Sequence, residues 1–391
     1  MGVKDFSKVF DYTKEVTYKE LNGKCIVIDA SVEIYRAALG MKMSETLTNS
    51  FGVPTMHINV IYLNILKLQA AGAEQFWIFD KPNDNNEECH NPLKQLELMK
   101  RKNKKVEASK KIVDLKDKMK ALMNDDNSDK DELFSDMSEE ETEAEPNTKK
   151  PGTDPNIKKH ENSIVSKKEK KVKEIAEIQS NIDKQEKAAF VMKKFYFEDV
   201  IFILDMLDIP WIEAPAGFDA EQVAAEATRR NIFSKRMDYV FSSDMDSLLF
   251  GARILLKKVK GKGNEKKLLK YDLANLLNKY NLSQDNLIKI GLILGTDFAA
   301  KTPRVGPKTV LKKFSAVELT DEQKKAMSDN FKRKLTKEEI NNIVIHNENE
   351  TPFSNSKKYK QLLDWMQLVK NFNRENVMKQ FAKQNLECLA T

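Results

Sequence analysis

Short apolar runs alternate with helical stripes in two stretches of the chain. Lys24-Cys25-Ile26-Val27-Ile28 is a short apolar run that ends at Asp29, and a helix is predicted from there through Ala38. His57 to Ala71 reads as a helix, with Ile58, Ile61, Ile65 and Leu68 at helical spacing. Gln75 to Phe79 is a second strand, ending at Asp80. The alternation resumes after residue 195, with a helix over Phe195–Leu207, a strand at Pro210-Trp211-Ile212 and a helix over Asp219–Arg230. Tyr239-Val240-Phe241 is a further strand, running into Ser242-Ser243-Asp244. Strands separated by helices predict an α/β fold with a parallel sheet covered on both faces. From Tyr271 onward the pattern is almost all helical, with amphipathic stretches at Lys358–Lys370 and Arg374–Lys383.

The region between these stretches is of another kind. Residues 94–120 hold eleven Lys/Arg and four acids, and residues 148–195 hold thirteen lysines and seven acids. Between them, residues 124–147 hold eleven acids and one lysine. The formal net charge of +6 is therefore −10 in that block and +16 elsewhere. So acidic a block, nearly free of apolar residues, cannot offset its chain entropy by burial and is expected to be disordered. The basic flanks read either as two solvated helices or as a helical arch that handles a polyanion. No apolar run reaches the length of a membrane span, and Met1-Gly2-Val3 does not begin as a secretory signal does. Three widely spaced cysteines argue against a disulfide scaffold.

Asp29, Asp80 and Asp244 each fall just past a predicted strand, at the edge where open parallel sheets bind ligands. Asp246 follows Asp244 by two residues, Asp219 and Glu221 open a helix, and Asp297 ends another. Carboxylates gathered at one edge repel one another unless a cation lies between them. All-oxygen donors point to Mg²⁺ or Mn²⁺ rather than zinc. Taken singly, an Asp after a strand is more often a turn residue or a helix cap than a ligand.

Together, these segments resemble the flap endonuclease branch of the XPG-type structure-specific 5′ nucleases. Met1 to Phe6 is similar to the family's start, and Val27-Ile28-Asp29-Ala30-Ser31 through Ile34-Tyr35 to its first acidic segment. Trp77-Ile78-Phe79-Asp80 resembles its second strand end, and Lys94 and Arg101 reproduce a Lys and an Arg seven residues apart. Ala214–Ala225, Phe241–Gly251 and Gly291–Lys308 follow in the family's order. Three departures stand out: Asp80 runs into Lys81-Pro82 without the family's glycine, Ser243 replaces an acid, and Asp219 replaces a glutamate and is preceded by Gly217-Phe218. The segment between Arg101 and Asp219 is also longer than the family's arch.

The resemblance implies a PIN-like parallel-sheet nuclease core, a helical arch and a helix–two-turn–helix for duplex DNA. The expected divisions are an N-terminal nuclease region over 1–101, an arch over 102–195 with its acidic insert at about 124–165, an internal nuclease region over 196–315 and a helical extension over 316–391. Asp29, Asp80, Asp219, Glu221, Asp244, Asp246 and Asp297 become the expected ligands of two Mg²⁺ ions, with Mn²⁺ as a substitute, and Lys94 and Arg101 the expected phosphate contacts. Tyr35 is expected to stack on a base. Gly306 and Lys308 are expected at the duplex backbone, where the family places a K⁺. The implied function is cleavage of 5′ flaps, with 5′→3′ exonuclease activity, in DNA replication, recombination or repair. The alternatives are preference for another junction, a nick, a gap or RNA, and a non-catalytic DNA-binding scaffold. The expected partners are branched or flapped DNA and other replication or repair proteins. The protein is expected to be a monomer, without a sliding-clamp motif and without a membrane. Its compartment is expected to be the nucleus, or a cytoplasmic replication compartment if the source is a large DNA virus.

Overall fold

The computed structural model describes residues 3, 5–39, 48–80, 92–135, 155–233, 235–260, 266–373, 375 and 379, without the side chains of 92–98, 124–135, 155–169, 260 and 266. The chain divides into two compact units: one of residues 1–41, 46–98 and 192–391, the other of residues 42–45 and 99–191.

The larger unit is built on a seven-stranded sheet. Its strands are β1 (Lys14–Val16), β2 (Cys25–Asp29), β3 (Glu74–Phe79), β4 (Trp211–Glu213), β5 (Tyr239–Phe241), β6 (Ile254–Lys260) and β7 (Lys266–Asp272), in the order β1-β7-β6-β5-β2-β3-β4. The pairs from β4 through β6 are parallel, while β7 and β1 join antiparallel. β2 is central and buried on both faces, which suits its run of β-branched residues. Because side chains alternate along a strand, Val27, Phe76, Ile78, Ile212 and Val240 join one core with α6 (Ala220–Arg229), α7 (Asp246–Leu249) and α9 (Gln284–Leu294). Ile26, Ile28 and Trp77 turn to the other face, where α1 (Ala30–Leu39), α2 (Met56–Ala70) and α5 (Lys194–Met206) pack together.

The three remaining strands β1, β6 and β7 lie where no strand is expected from the apolar pattern. Ile254–Lys260 and Lys266–Asp272 carry so many lysines that they read as polar, although Lys258 is buried and bonds Asn64 of α2.

The carboxyl-terminal region wraps the same unit. Trp211 and His346 exchange backbone hydrogen bonds and stack at 3.9 Å, covering the β4 edge of the sheet. α13 (Ser356–Leu368) packs on α5, with Trp365 against Phe202, and the other amphipathic stretch, 374–383, lies almost wholly outside the described residues. Just past α13, Lys370 donates to both oxygens of Asp199 at 2.7 and 2.9 Å, and His57 of α2 meets Asp199 at 2.9 Å. All three are buried. Removing Asp199 would leave a buried ammonium unpaired, so Asp199→Ala is expected to destabilise the protein by about 3–5 kcal/mol in chemical unfolding.

In the smaller unit, α3 (Pro92–Ser135) enters at residue 99 and α4 (Pro155–Ala189) follows it. Lys116–Glu186 and Lys118–Glu174 pair at 3.2 and 3.3 Å, and Ala108, Ile178 and Ile182 are buried. α3 continues into the first half of the acidic block; the rest of that block lies outside the described residues. No helix among the described residues is long and apolar enough to cross a membrane.

Candidate active site

Asp29 is the last residue of β2, Asp80 follows β3, and the Ser242–Asp244 turn follows β5. These three strands are adjacent and parallel, so their carboxyl ends bring the acids to one edge of the sheet. A run of hydrogen bonds joins them. Asp29 Oδ1 accepts from the Val32 N–H at 3.1 Å, capping α1, and Oδ2 accepts from the Ser242 hydroxyl at 3.4 Å. Ser242 Oγ in turn accepts from the Asp244 N–H at 3.1 Å, and Asp244 Oδ1 accepts from the Asp246 N–H at 3.1 Å. Asp246 Oδ1 accepts from the Val3 N–H at 2.6 Å, which holds the amino-terminal segment at the site.

Two further acids come from the start of α6. Asp219 is its N-cap and donates its own N–H to Gln222 Oε1 at 2.9 Å. Asp80 Oδ1 accepts from the Ala220 N–H at 2.8 Å, so the end of β3 is tied to the positive end of that helix. Glu221 is half-buried as a residue, yet its Oε2 is shut off from solvent without a hydrogen-bond partner. Asp297 lies three residues beyond α9, half-buried.

Burial pushes the carboxyls of Asp29, Glu221 and Asp246 well above the usual carboxylate range, and mutual repulsion adds to it. Asp29 feels Asp80 and Asp244; Glu221 feels Asp244, Asp246, Asp29 and Asp219. Asp244 is also raised, chiefly by burial, and both it and Asp246 feel Asp297. The seven predicted acids therefore form one electrostatic cluster. Among the described residues no three close tightly enough to enclose a single ion, so what unites them is shared charge and the hydrogen-bond run. Hard oxygen donors that are costly to ionise together are the donor set a divalent cation relieves, and the cluster fits Mg²⁺ or Mn²⁺ in its chemistry.

The other expected residues are placed as follows. Lys94 lies in α3, its side chain outside the described residues, and Arg101 is a half-buried residue of the same helix within the smaller unit. Tyr35 is half-buried on α1. Gly306 lies in the turn between α9 and α10 (Val310–Lys313), where its N–H donates to Thr309 Oγ1 at 3.2 Å. A Cβ there would meet nothing within 4 Å, so internal packing does not demand the glycine, and Lys308 beside it is exposed.

Ser242, Val3, Glu33 and Lys257 were not legible as site residues. Ser242 and Val3 act through bonds to acids distant in the chain. Glu33 is buried on α1, where it pairs with Arg36 at 2.5 Å, accepts from Asn64 and adds to the repulsion at Asp29. Lys257 of β6 is held below its ordinary value by burial and back toward it by Asp244, which makes it a cation of the cluster's surroundings.

The XPG N-terminal domain profile matches residues 1–108, and the XPG I-region profile matches residues 208–297. Flap endonuclease 1 of Glycine max is 24% identical over 98% of this chain and 86% of its own length. Its Zea mays counterpart is 26% identical over 80% of this chain, which spans 66% of that protein. Among solved structures, flap endonuclease-1 from Methanococcus jannaschii covers 100% of both chains at a TM-score of 0.58 and 18% identity. The catalytic core of Rad2 in complex with DNA substrate covers 98% of this chain and 100% of its own at a TM-score of 0.53 and 17% identity. These likenesses establish the fold. All seven acids fall inside the two matched segments, in the family's order and at one sheet edge, and on that ground the chain belongs to the XPG-type nuclease family.

Proposed function

We propose that this protein is a structure-specific DNA nuclease. It cuts 5′ flaps near the junction of single strand and duplex, and removes nucleotides from 5′ ends, in replication, recombination or repair. The observation that carries this reading is the cluster of seven acids at the carboxyl edge of the sheet, inside the two XPG segments. The relatives' name, flap endonuclease 1, supplies the substrate class.

Asp29, Asp80, Asp219, Glu221, Asp244, Asp246 and Asp297 would hold two divalent ions. Such ions supply a nucleophilic water near neutral pH and offset charge on the leaving 3′ oxygen. The chain's own contribution is to bring the carboxylates together and keep them oriented. Ser242 bridges Asp29 to the Asp244 turn, Val3 steadies Asp246, and the Asp80–Ala220 bond fixes α6 against β3. Lys94 and Arg101, on one helix, are assigned to the phosphate: a point charge for developing negative charge and a planar fork for phosphate oxygens. Tyr35 is assigned to stacking on the terminal base, and Gly306 with Lys308 to the duplex backbone, where a K⁺ would add positive charge against the phosphates. Branched or flapped DNA is the partner, met wherever DNA is processed: the nucleus, or a viral replication compartment in the cytoplasm.

Substrate choice is tested by running labelled flap, nick, gap, bubble, four-way-junction and RNA substrates side by side with Mg²⁺. The expected result is fastest cleavage of the 5′ flap, cut near its base. Faster cutting of any other substrate would replace flap specificity with that preference.

A further inference from the structure

Ala214-Pro215-Ala216-Gly217-Phe218-Asp219 leads from β4 into α6, and Gly217-Phe218 belongs to one of the three departures from the family's pattern. Gly217 has φ of +80°, a left-handed conformation that glycine adopts without a steric penalty. Phe218, 6% exposed, is part of the main core. Over that turn lies Arg333, a residue more than a hundred positions later. Its Nη1 donates to the Gly217 carbonyl at 3.1 Å, and its guanidinium carbon sits 4.1 Å from the Phe218 ring centroid. Nη2 is anchored on Glu339 Oε1 at 3.2 Å. A Cβ on Gly217 would come within 3.0 Å of Nη1, so the glycine also makes room for the guanidinium.

Arg333 is the centre of a longer contact. Gln222 Nε2, on the residue whose Oε1 caps the Asp219 N–H, donates to the Asn330 carbonyl at 3.0 Å. Glu226 Oε2 accepts from the Leu335 N–H at 2.9 Å, and Arg230 Nη2 donates to the Leu335 carbonyl at 2.5 Å. Residues 330–339 thus lie along α6, and the guanidinium closes over the turn from which its first two carboxylates emerge. A flat cation stacked on an aromatic ring while bonded to the carbonyl before it fixes both position and orientation.

We propose that Arg333 is a positioning residue for Asp219 and Glu221: by clamping the Gly217-Phe218 turn it sets where α6 begins, and so where these two carboxylates stand in the metal cluster. This rests on the metal-nuclease reading above. Charge and position predict opposite signs. If Arg333 acted only as a nearby positive charge, its removal would tighten binding of a cation. If it positions ligands, its removal weakens that binding, as loss of an orienting partner commonly does.

The test is Mn²⁺ binding to the full-length protein without DNA, read from the electron paramagnetic resonance signal of free Mn²⁺, for wild type, Arg333→Ala and Arg333→Lys. Thermal melts in EDTA accompany it. Arg333→Ala is expected to bind Mn²⁺ roughly 10-fold more weakly, and Arg333→Lys to fall between it and wild type. Unchanged or tighter binding by a folded Arg333→Ala overturns the proposal. Should the alanine variant fail to fold, the lysine variant decides: weaker binding than wild type supports the clamp and equal binding overturns it. A wild type that binds no Mn²⁺ overturns the metal-nuclease reading itself, an outcome distinct from any difference among the variants.

Discussion

Asp246→Asn is expected to lower phosphodiester cleavage by roughly 10³-fold or more while leaving a folded protein, because it removes one proposed charged ligand from a site that would be worth several kcal/mol of transition-state stabilisation. Asp246 is 1% exposed, and its Oδ1 accepts from the Val3 N–H. An asparagine oxygen can still accept that bond, so the amino-terminal segment stays anchored. The ionised carboxylate is disfavoured by burial and then by Asp244 and Asp297, and the amide abolishes both penalties. The variant is therefore expected to melt higher than wild type in EDTA above neutral pH. Single-turnover cleavage and thermal melts of the same preparations check the two halves. Retained activity would remove Asp246 from the metal site, and a lower melting temperature in EDTA would contradict the repulsion assigned to it.

The second large effect is on the pH dependence of stability. Asp29, Glu221, Asp244 and Asp246 all hold their protons to higher pH in the folded protein than ordinary carboxylates do. Unfolded carboxyls ionise near pH 4, so above that pH the folded state binds more protons than the unfolded one. Stability in EDTA then falls as pH rises through the raised values of these groups. A divalent ion reverses that loss, since it binds the folded, ionised cluster; at a concentration of 100 times Kd it adds about 2.7 kcal/mol. Melts at pH 5 and pH 8, each with Mg²⁺ and with EDTA, are expected to show a larger Mg²⁺ gain at pH 8. An equal gain at both pH values would show that the ion binds away from these carboxylates.

How far the sequence disclosed all this depended on the kind of signal. The parallel strands β2, β3, β4 and β5 are short apolar runs bounded by turn residues, and periodicity finds them within a residue or two. β6 and β7 escape it because lysines replace the apolar alternation, and one of them, Lys258, is paid for by a buried partner on α2 rather than by solvent. β1 has three residues and takes its place only through β7. The acids were legible for a topological reason: a residue ending a parallel strand is already at the ligand-binding edge. What joined them into one site was the family resemblance, because no local pattern links Asp29 to Asp246. The contacts that hold the site, Ser242 to Asp29, Val3 to Asp246 and Arg333 to Gly217, span more than a hundred residues each and carry no mark in the sequence. Capping and clustering also overlap: Asp219 is both the N-cap of α6 and a member of the acid cluster, so serving as a cap does not take it out of that cluster.

The central claim is that the carboxylate cluster, loaded with a divalent ion, hydrolyses DNA at a flap. Its most direct test is cleavage of an end-labelled 5′-flap duplex by wild type and Asp244→Ala, with Mg²⁺ and with EDTA. Product near the junction from wild type with Mg²⁺, and from neither the variant nor the EDTA reaction, is the expected result. Equal product from both proteins, or none from wild type with either Mg²⁺ or Mn²⁺, would contradict it.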